Sequence, residues 1–167
     1  MLFIFDLDQT LVDTKIALPL RDQKRWGDVY TIIPQMKIYP NIKETLEYLK
    51  SKGHTISVVT TSPRIYAQKV IANFNLEITN IVAYHDVSRR KPDPESIYKA
   101  MSNAGVSAKD CISFGDRKID IEASNRAGVS SCACFWDTVE AVELQRSNPT
   151  HSFQTTTEMF NFIKHNF

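Results

Sequence analysis

Met1-Leu2-Phe3-Ile4-Phe5-Asp6-Leu7-Asp8-Gln9-Thr10-Leu11 opens the chain and decides how the rest is read. Leu2 to Phe5 is a continuous apolar run, too short for a helix and suited to a strand buried on both faces. The run ends in Asp6 and Asp8, and in an extended chain residues i and i+2 point to the same side. Two carboxylates converging there repel each other unless a cation or a shared proton resolves the conflict. A buried strand gains nothing from ending in two acids, so the stretch predicts a chemical site.

The bulk composition narrows what that site serves. A chain of 167 residues is expected to form one domain with a sizeable core. Its 43% hydrophobic and 23% charged residues are ordinary for a soluble globular protein. A net charge of +1 carries no strong nucleic-acid signal. No apolar run approaches the roughly 20 residues of a membrane span, and a strand starting at Leu2 leaves no room for a leader. Cys111, Cys132 and Cys134 are an odd set without metal-site spacing, which predicts reduced, buried thiols and a cytoplasmic protein. His54, His85, His151 and His165 show no ligand spacing.

Beyond Val12 the pattern blurs from Asp13 to Tyr39, with one short helix expected around Arg21 to Val29 and packing roles for Trp26 and Tyr30. Regular alternation follows. Pro40 is expected in the first turn of a helix carrying Ile42, Leu46 and Leu49 and ending at Gly53. Thr55 to Val59 is β-branched and reads as a strand running into Thr60-Thr61-Ser62-Pro63, where Ser62 is expected to cap and Pro63 to start a helix. Strands follow at Ile81–Tyr84, Cys111–Phe114, Ser130–Phe135 and near Ser152. Helices are expected from Pro94 to Gly105 with Asp93 as cap, over Ile119–Ala127 and Val139–Leu144, and from about Glu158 to Lys164. Strands alternating with helices predict an α/β domain with a mostly parallel sheet between helical layers.

In such sheets, ligand sites form outside the carboxyl ends of the strands. The chemistry-bearing residues fall there: Asp6 and Asp8, Thr60, then Asp116 and Asp120, with Lys91 in a loop before a helix. Clustered acids suit Mg²⁺, a hard cation that takes oxygen ligands and keeps waters for a phosphate to displace. A lysine and a helix N-terminus near Pro63 suit a phosphoryl group. Taken singly, Thr60, Lys91 and Asp116 have ordinary readings as a strand end, a solvated lysine and a turn residue. Their joint order and spacing carry the catalytic reading.

Four motifs in order make the chain resemble the haloacid dehalogenase-like (HAD) superfamily, in its Mg²⁺-dependent phosphatase branch. They are Asp6-Leu-Asp8-Gln-Thr10, a hydrophobic strand ending in Thr60, Lys91-Pro-Asp-Pro, and Gly115-Asp116-Arg-Lys-Ile-Asp120; Arg126-Ala-Gly128 adds to the likeness. The resemblance implies a three-layer Rossmann-like fold over residues 1–167, with 14–39 as a minimal cap. It implies that Asp6 is the nucleophile and forms an aspartyl-phosphate, and that Asp8 is the acid/base. It places Mg²⁺ on Asp6, the Asp8 backbone carbonyl and Asp116, with Asp120 ligating through water or orienting its neighbours. Thr60 and Thr61 would bind the phosphoryl oxygens, and Lys91 would neutralise their charge while holding the nucleophile.

The expected activity is hydrolysis of a phosphate monoester, on a small molecule or on an exposed phosphate of a larger one. The alternatives are a phosphotransferase and a non-catalytic phosphate-binding module of the same fold; a mutase or a dehalogenase fits less well. Two positions depart from the family pattern. Gln9 stands where many relatives carry glycine, and Arg117 stands where a small residue is common. Arg117 would either aid an anionic substrate or point away to solvent. Arg21, Lys24 and Arg25 make the insert locally basic.

Overall fold

The computed structural model describes residues 1–167. Six strands form one sheet: β1 (Leu2–Phe5), β4 (Thr55–Val59), β5 (Asn80–Val82), β6 (Cys111–Gly115), β7 (Ser130–Cys134) and β8 (His151–Phe153). Their spatial order is β5-β4-β1-β6-β7-β8, and every pairing is parallel. β1 thus lies near the centre, bounded by β4 and β6. The order reverses between β1 and β6, the kind of crevice where α/β sheets bind ligands.

Side chains of β1 alternate between two cores because successive residues of a strand face opposite ways. Phe3 and Phe5 join the larger core with α3 (Ile42–Ser51), α4 (Arg64–Asn73) and α8 (Thr156–Asn166). Leu2 and Ile4 join the other with α5 (Glu95–Ala104) and α6 (Lys118–Arg126). A small third cluster pairs Ile121 and Ala133 with Leu144 of α7 (Ala141–Arg146). The expected strand near Ser152 and the terminal helix are both present. All three cysteines are free and buried, as expected. No helix is long and apolar enough to cross a membrane.

The segment after β1 departs most from the sequence reading. An antiparallel pair, β2 (Val12–Asp13) with β3 (Lys37–Ile38), ties its two ends together. Instead of one helix over Arg21–Val29, the chain forms α1 (Leu18–Asp22) and α2 (Trp26–Ile32), broken at Lys24, whose φ is +55°. The break lets Arg21 turn inward while Trp26 packs on Tyr66 of α4, ring centroids 5.7 Å apart. Tyr30 also packs against the larger core, as expected. Pro40 lies outside α3, which begins at Ile42 behind a left-handed Asn41. Pro63 likewise precedes α4 and itself occupies the cap position, so Ser62 lies one residue too early to cap and its hydroxyl donates to Asp8 instead. Asp93 does accept from the Glu95 amide at 3.0 Å, although α5 starts one residue after Pro94.

A row of aromatic rings crosses the larger core. Phe114 stacks on Phe5 at 4.8 Å and lies 6.4 Å from Phe3 and 6.3 Å from Phe153. Phe114→Ala would remove the middle ring from a close-packed interior and is expected to cost about 3–5 kcal/mol. Urea denaturation measures this; a loss under about 1 kcal/mol would show that the row does not anchor the sheet.

Candidate active site

Phe5, the last residue of β1, pairs with Val58 and Phe114, so β4 and β6 each run one residue further before ending at Val59 and Gly115. The residues that follow the three strands, Asp6, Thr60 and Asp116, therefore emerge at the same sheet edge, Thr60 and Asp116 one residue beyond Asp6. The Asp6 amide extends the ladder by donating to the Phe114 carbonyl at 2.9 Å. The chain then folds into a tight turn, with the Leu11 and Val12 amides both donating to the Leu7 carbonyl. Gln9 takes a left-handed φ of +57° in this turn. Leu7 is buried in the core while Asp6 and Asp8 both line a cleft of about 280 Å³. The i, i+2 expectation holds.

At the floor of the cleft, Lys91 is buried with its ammonium fully engaged. It donates to Asp6 Oδ1 at 2.7 Å, Asp120 Oδ1 at 2.5 Å and the Val59 carbonyl at 3.0 Å. Asp6 Oδ2 has no hydrogen-bond partner and is the open oxygen of that carboxylate. Carboxylate oxygens of Asp6, Asp116 and Asp120 lie within 4.8 Å of one another, and all three residues are buried. Thr10 Oγ1 donates to Asp116 Oδ1 at 3.0 Å, and the Arg117 amide donates to Asp120 Oδ2 at 3.0 Å. Gly115 makes the crowding feasible: a Cβ there would sit 2.3 Å from Asp120 Cβ.

The electrostatics are those of a site short of positive charge. Burial, reinforced by Asp120 and Asp8 and opposed by Lys91, pushes the Asp6 carboxyl up to about 7. Burial and the neighbouring Asp120 and Asp6 likewise hold Asp116 well above the usual carboxylate range. For Lys91, burial favours the neutral amine, but Asp120 and Asp6 outweigh it and raise the ammonium's pKa. Three carboxylates facing one ammonium leave negative charge in excess. An all-oxygen donor set of this kind fits a divalent hard cation.

The two threonines after β4 take different places. Thr60 is buried, its Oγ1 accepting from the Ser62 amide at 3.1 Å, whereas Thr61 lines the cleft. Arg117 also lines it, but its Nε is tied to Glu140 Oε1 at 2.9 Å on the outer wall.

Several residues around Asp8 escaped the sequence reading. Thr14, Arg21, Ser62 and Tyr66 all contact its carboxylate. Arg21 was legible only as part of a basic segment, and no spacing marks Ser62 or Tyr66. Thr10 was read as part of the first motif, but nothing in the sequence points to its bond to Asp116.

Two outcomes are expected from this geometry. Gly115→Ala would force Asp120 off Lys91, lowering the melting temperature and weakening divalent-cation binding measured by calorimetry. In cation-free buffer, the folded state holds a proton on Asp6 that the unfolded chain releases earlier. The contribution of this carboxyl to stability is therefore full below the ordinary carboxylate range and is lost as pH rises through about 7, whereas Asp86, held below its usual range, contributes in the opposite sense at low pH. A divalent cation at about a hundred times its Kd would flatten that slope and add about 2.7 kcal/mol, readable by thermal melts from pH 5 to 8. Melts insensitive to both pH and cation would contradict the reading of the acidic floor.

Residues 22–134 match the haloacid dehalogenase-like hydrolase family. The chain is 29% identical over 129 residues to the phosphoglycolate phosphatase of Haemophilus influenzae, a match covering 76% of this chain and 58% of that protein. It is 24% identical over 163 residues to the pyrophosphatase PpaX of Oceanobacillus iheyensis, covering 96% of this chain and 74% of that one. It thus spans about three fifths of the phosphoglycolate phosphatase's length. The crystal structure of a predicted phosphoglycolate phosphatase from Haemophilus somnus superposes with a TM-score of 0.84 at 21% identity, covering 96% of both chains. The six-stranded parallel sheet, the order of the four motifs and the match over residues 22–134 agree. The chain belongs to the haloacid dehalogenase-like hydrolase family.

Proposed function

We propose that this chain is a Mg²⁺-dependent phosphatase that hydrolyses a phosphate monoester through an aspartyl-phosphate on Asp6. The observation that carries this reading is the buried contact of Asp6 with Lys91, which occupies Oδ1 and leaves Oδ2 free to meet phosphorus. Asp6 Oδ2 attacks as the leaving oxygen departs, and Lys91 keeps the nucleophile oriented while offsetting phosphoryl charge. Asp8 protonates the leaving oxygen and afterwards takes a proton from the water that attacks the intermediate. Thr60 and Thr61 direct hydrogen-bond donors at the phosphoryl oxygens. Asp6, the Asp8 backbone carbonyl and Asp116 would hold Mg²⁺, with Asp120 orienting the set; the ion would neutralise charge on the phosphoryl group.

The three-layer unit serves as one catalytic domain over residues 1–167, with 14–39 as a minimal cap. The small cleft favours a phosphorylated small molecule. Relatives named for phosphoglycolate and pyrophosphate make those two compounds the first members of a substrate panel.

Hydrolysis of p-nitrophenyl phosphate with and without Mg²⁺ tests the reading. Turnover is expected only with the metal, and Asp6→Asn is expected to lower kcat at least about a thousandfold, as loss of a nucleophile does. Turnover that persists in Asp6→Asn, or that ignores chelation, would contradict it.

A further inference from the structure

Asp8 is the most heavily engaged carboxylate in the cleft, and its two oxygens are treated differently. Oδ1 accepts from Thr14 Oγ1 and the Tyr66 hydroxyl, each at 2.7 Å, and is ion-paired with Arg21 Nη1 at 2.8 Å, whose own hydrogen bond goes to Thr14 Oγ1 at 3.4 Å. Oδ2 receives only Ser62 Oγ, at 2.9 Å. The same guanidinium reaches Ser62 as well, Nη2 lying 2.9 Å from its Oγ. Arg21 rests over the Tyr66 ring at 5.2 Å, and Trp26 packs on that ring too. The insert between the first two motifs therefore places a cation directly on Asp8.

These donors are not chemically equal. A guanidinium is always charged and can only donate, so the oxygen beside it is favoured as the ionised, accepting one and the proton is favoured on the other. Threonine, serine and tyrosine hydroxyls can rotate and either donate or accept. Ser62 can donate to an ionised Asp8 and accept from a protonated one, while still accepting from Arg21 through its other lone pair. Oδ1 is biased towards accepting while Arg21 is in place.

Resting on the phosphatase reading above, we propose that Arg21 is a positioning residue which commits Asp8 Oδ1 as an acceptor, so that Oδ2 alone passes the proton to and from the reacting groups. In the first half-reaction the bond from Asp6 Oδ2 to phosphorus forms and the bond to the leaving oxygen breaks. The proton on Asp8 Oδ2 moves to that oxygen. In the second, water oxygen bonds phosphorus, the Asp6–phosphorus bond breaks, and one water proton returns to Asp8 Oδ2. Arg21 lines the cleft beside Asp8, with its guanidinium engaged by Asp8 and Ser62. It acts by fixing which oxygen of Asp8 carries the proton.

Leaving-group dependence reads this directly, because a poor leaving group needs the proton and a good one hardly does. Wild type, Arg21→Met and Arg21→Lys are compared on an alkyl phosphate and on p-nitrophenyl phosphate. Arg21→Met is expected to lower the alkyl-to-aryl ratio of kcat/KM at least about tenfold, with the alkyl loss in kcat rather than KM. Arg21→Lys is expected to fall between, since one ammonium can meet Oδ1 or Ser62 but does not reproduce the planar fork. A parallel loss on both substrates would mean that Arg21 only supports packing, and the proposal fails. Should Arg21→Met not fold, Arg21→Lys carries the test: a ratio equal to wild type overturns the proposal, and a drop of about threefold supports it. Wild-type inactivity on both substrates would instead overturn the phosphatase reading, and this assignment with it.

Discussion

The buried ammonium of Lys91 is the contact on which the rest of the site depends. It joins Asp6 from the first strand, the Val59 carbonyl from its neighbour and Asp120 from the helix after β6. Desolvating such a group is costly unless every proton finds an acceptor, and here all three do. Removing the lysine would leave Asp6, Asp116 and Asp120 facing one another with no internal counter-charge. Breaking a buried pair in this way typically costs about 3–5 kcal/mol. Even with the lysine present, negative charge remains in excess, and that is the charge a bound cation would offset.

The sheet exists, in this respect, to bring those groups together. Parallel pairing of β1 with β4 and β6 brings three strand ends to one edge within a residue of each other, and the reversal of strand order beside β1 opens the crevice above them. Apolar residues on both faces of β1 make the strand's position hard to change: a one-residue slip would exchange Phe3 and Phe5 with Leu2 and Ile4 between two differently shaped cores. Gly115 completes the arrangement by leaving room for Asp120 where any side chain would collide. Core packing and site geometry are thus the same constraint seen from two sides.

Much of this was legible in the sequence, and the part that was not has a physical explanation. The i, i+2 relation of Asp6 and Asp8 is local, so strand periodicity alone predicts their shared side. The alternation of strands and helices predicts a parallel sheet, and with it the convergence of Thr60, Asp116 and Asp120. Helix starts were less legible: Ser62 and Pro63 look like a cap and a first turn, yet Pro63 takes the cap position and Ser62 donates to Asp8, a partner 54 residues away. Tyr66 reaches the same carboxylate across 58 residues. Arg21 lies in a stretch without periodicity, split by a left-handed Lys24 that no pattern announces. Contacts made by one side chain across a tertiary gap leave no spacing to read.

The most direct measurement is to trap the protein during turnover and find where phosphorus is bound. Borohydride reduces an acyl phosphate on aspartate to homoserine, which peptide mass spectrometry locates by residue. With a Mg²⁺-supported substrate, homoserine is expected at position 6 and nowhere else, and it should vanish when substrate is omitted. Homoserine at position 8 or 116, or none in a protein actively turning over, would contradict the assignment of Asp6 as the nucleophile.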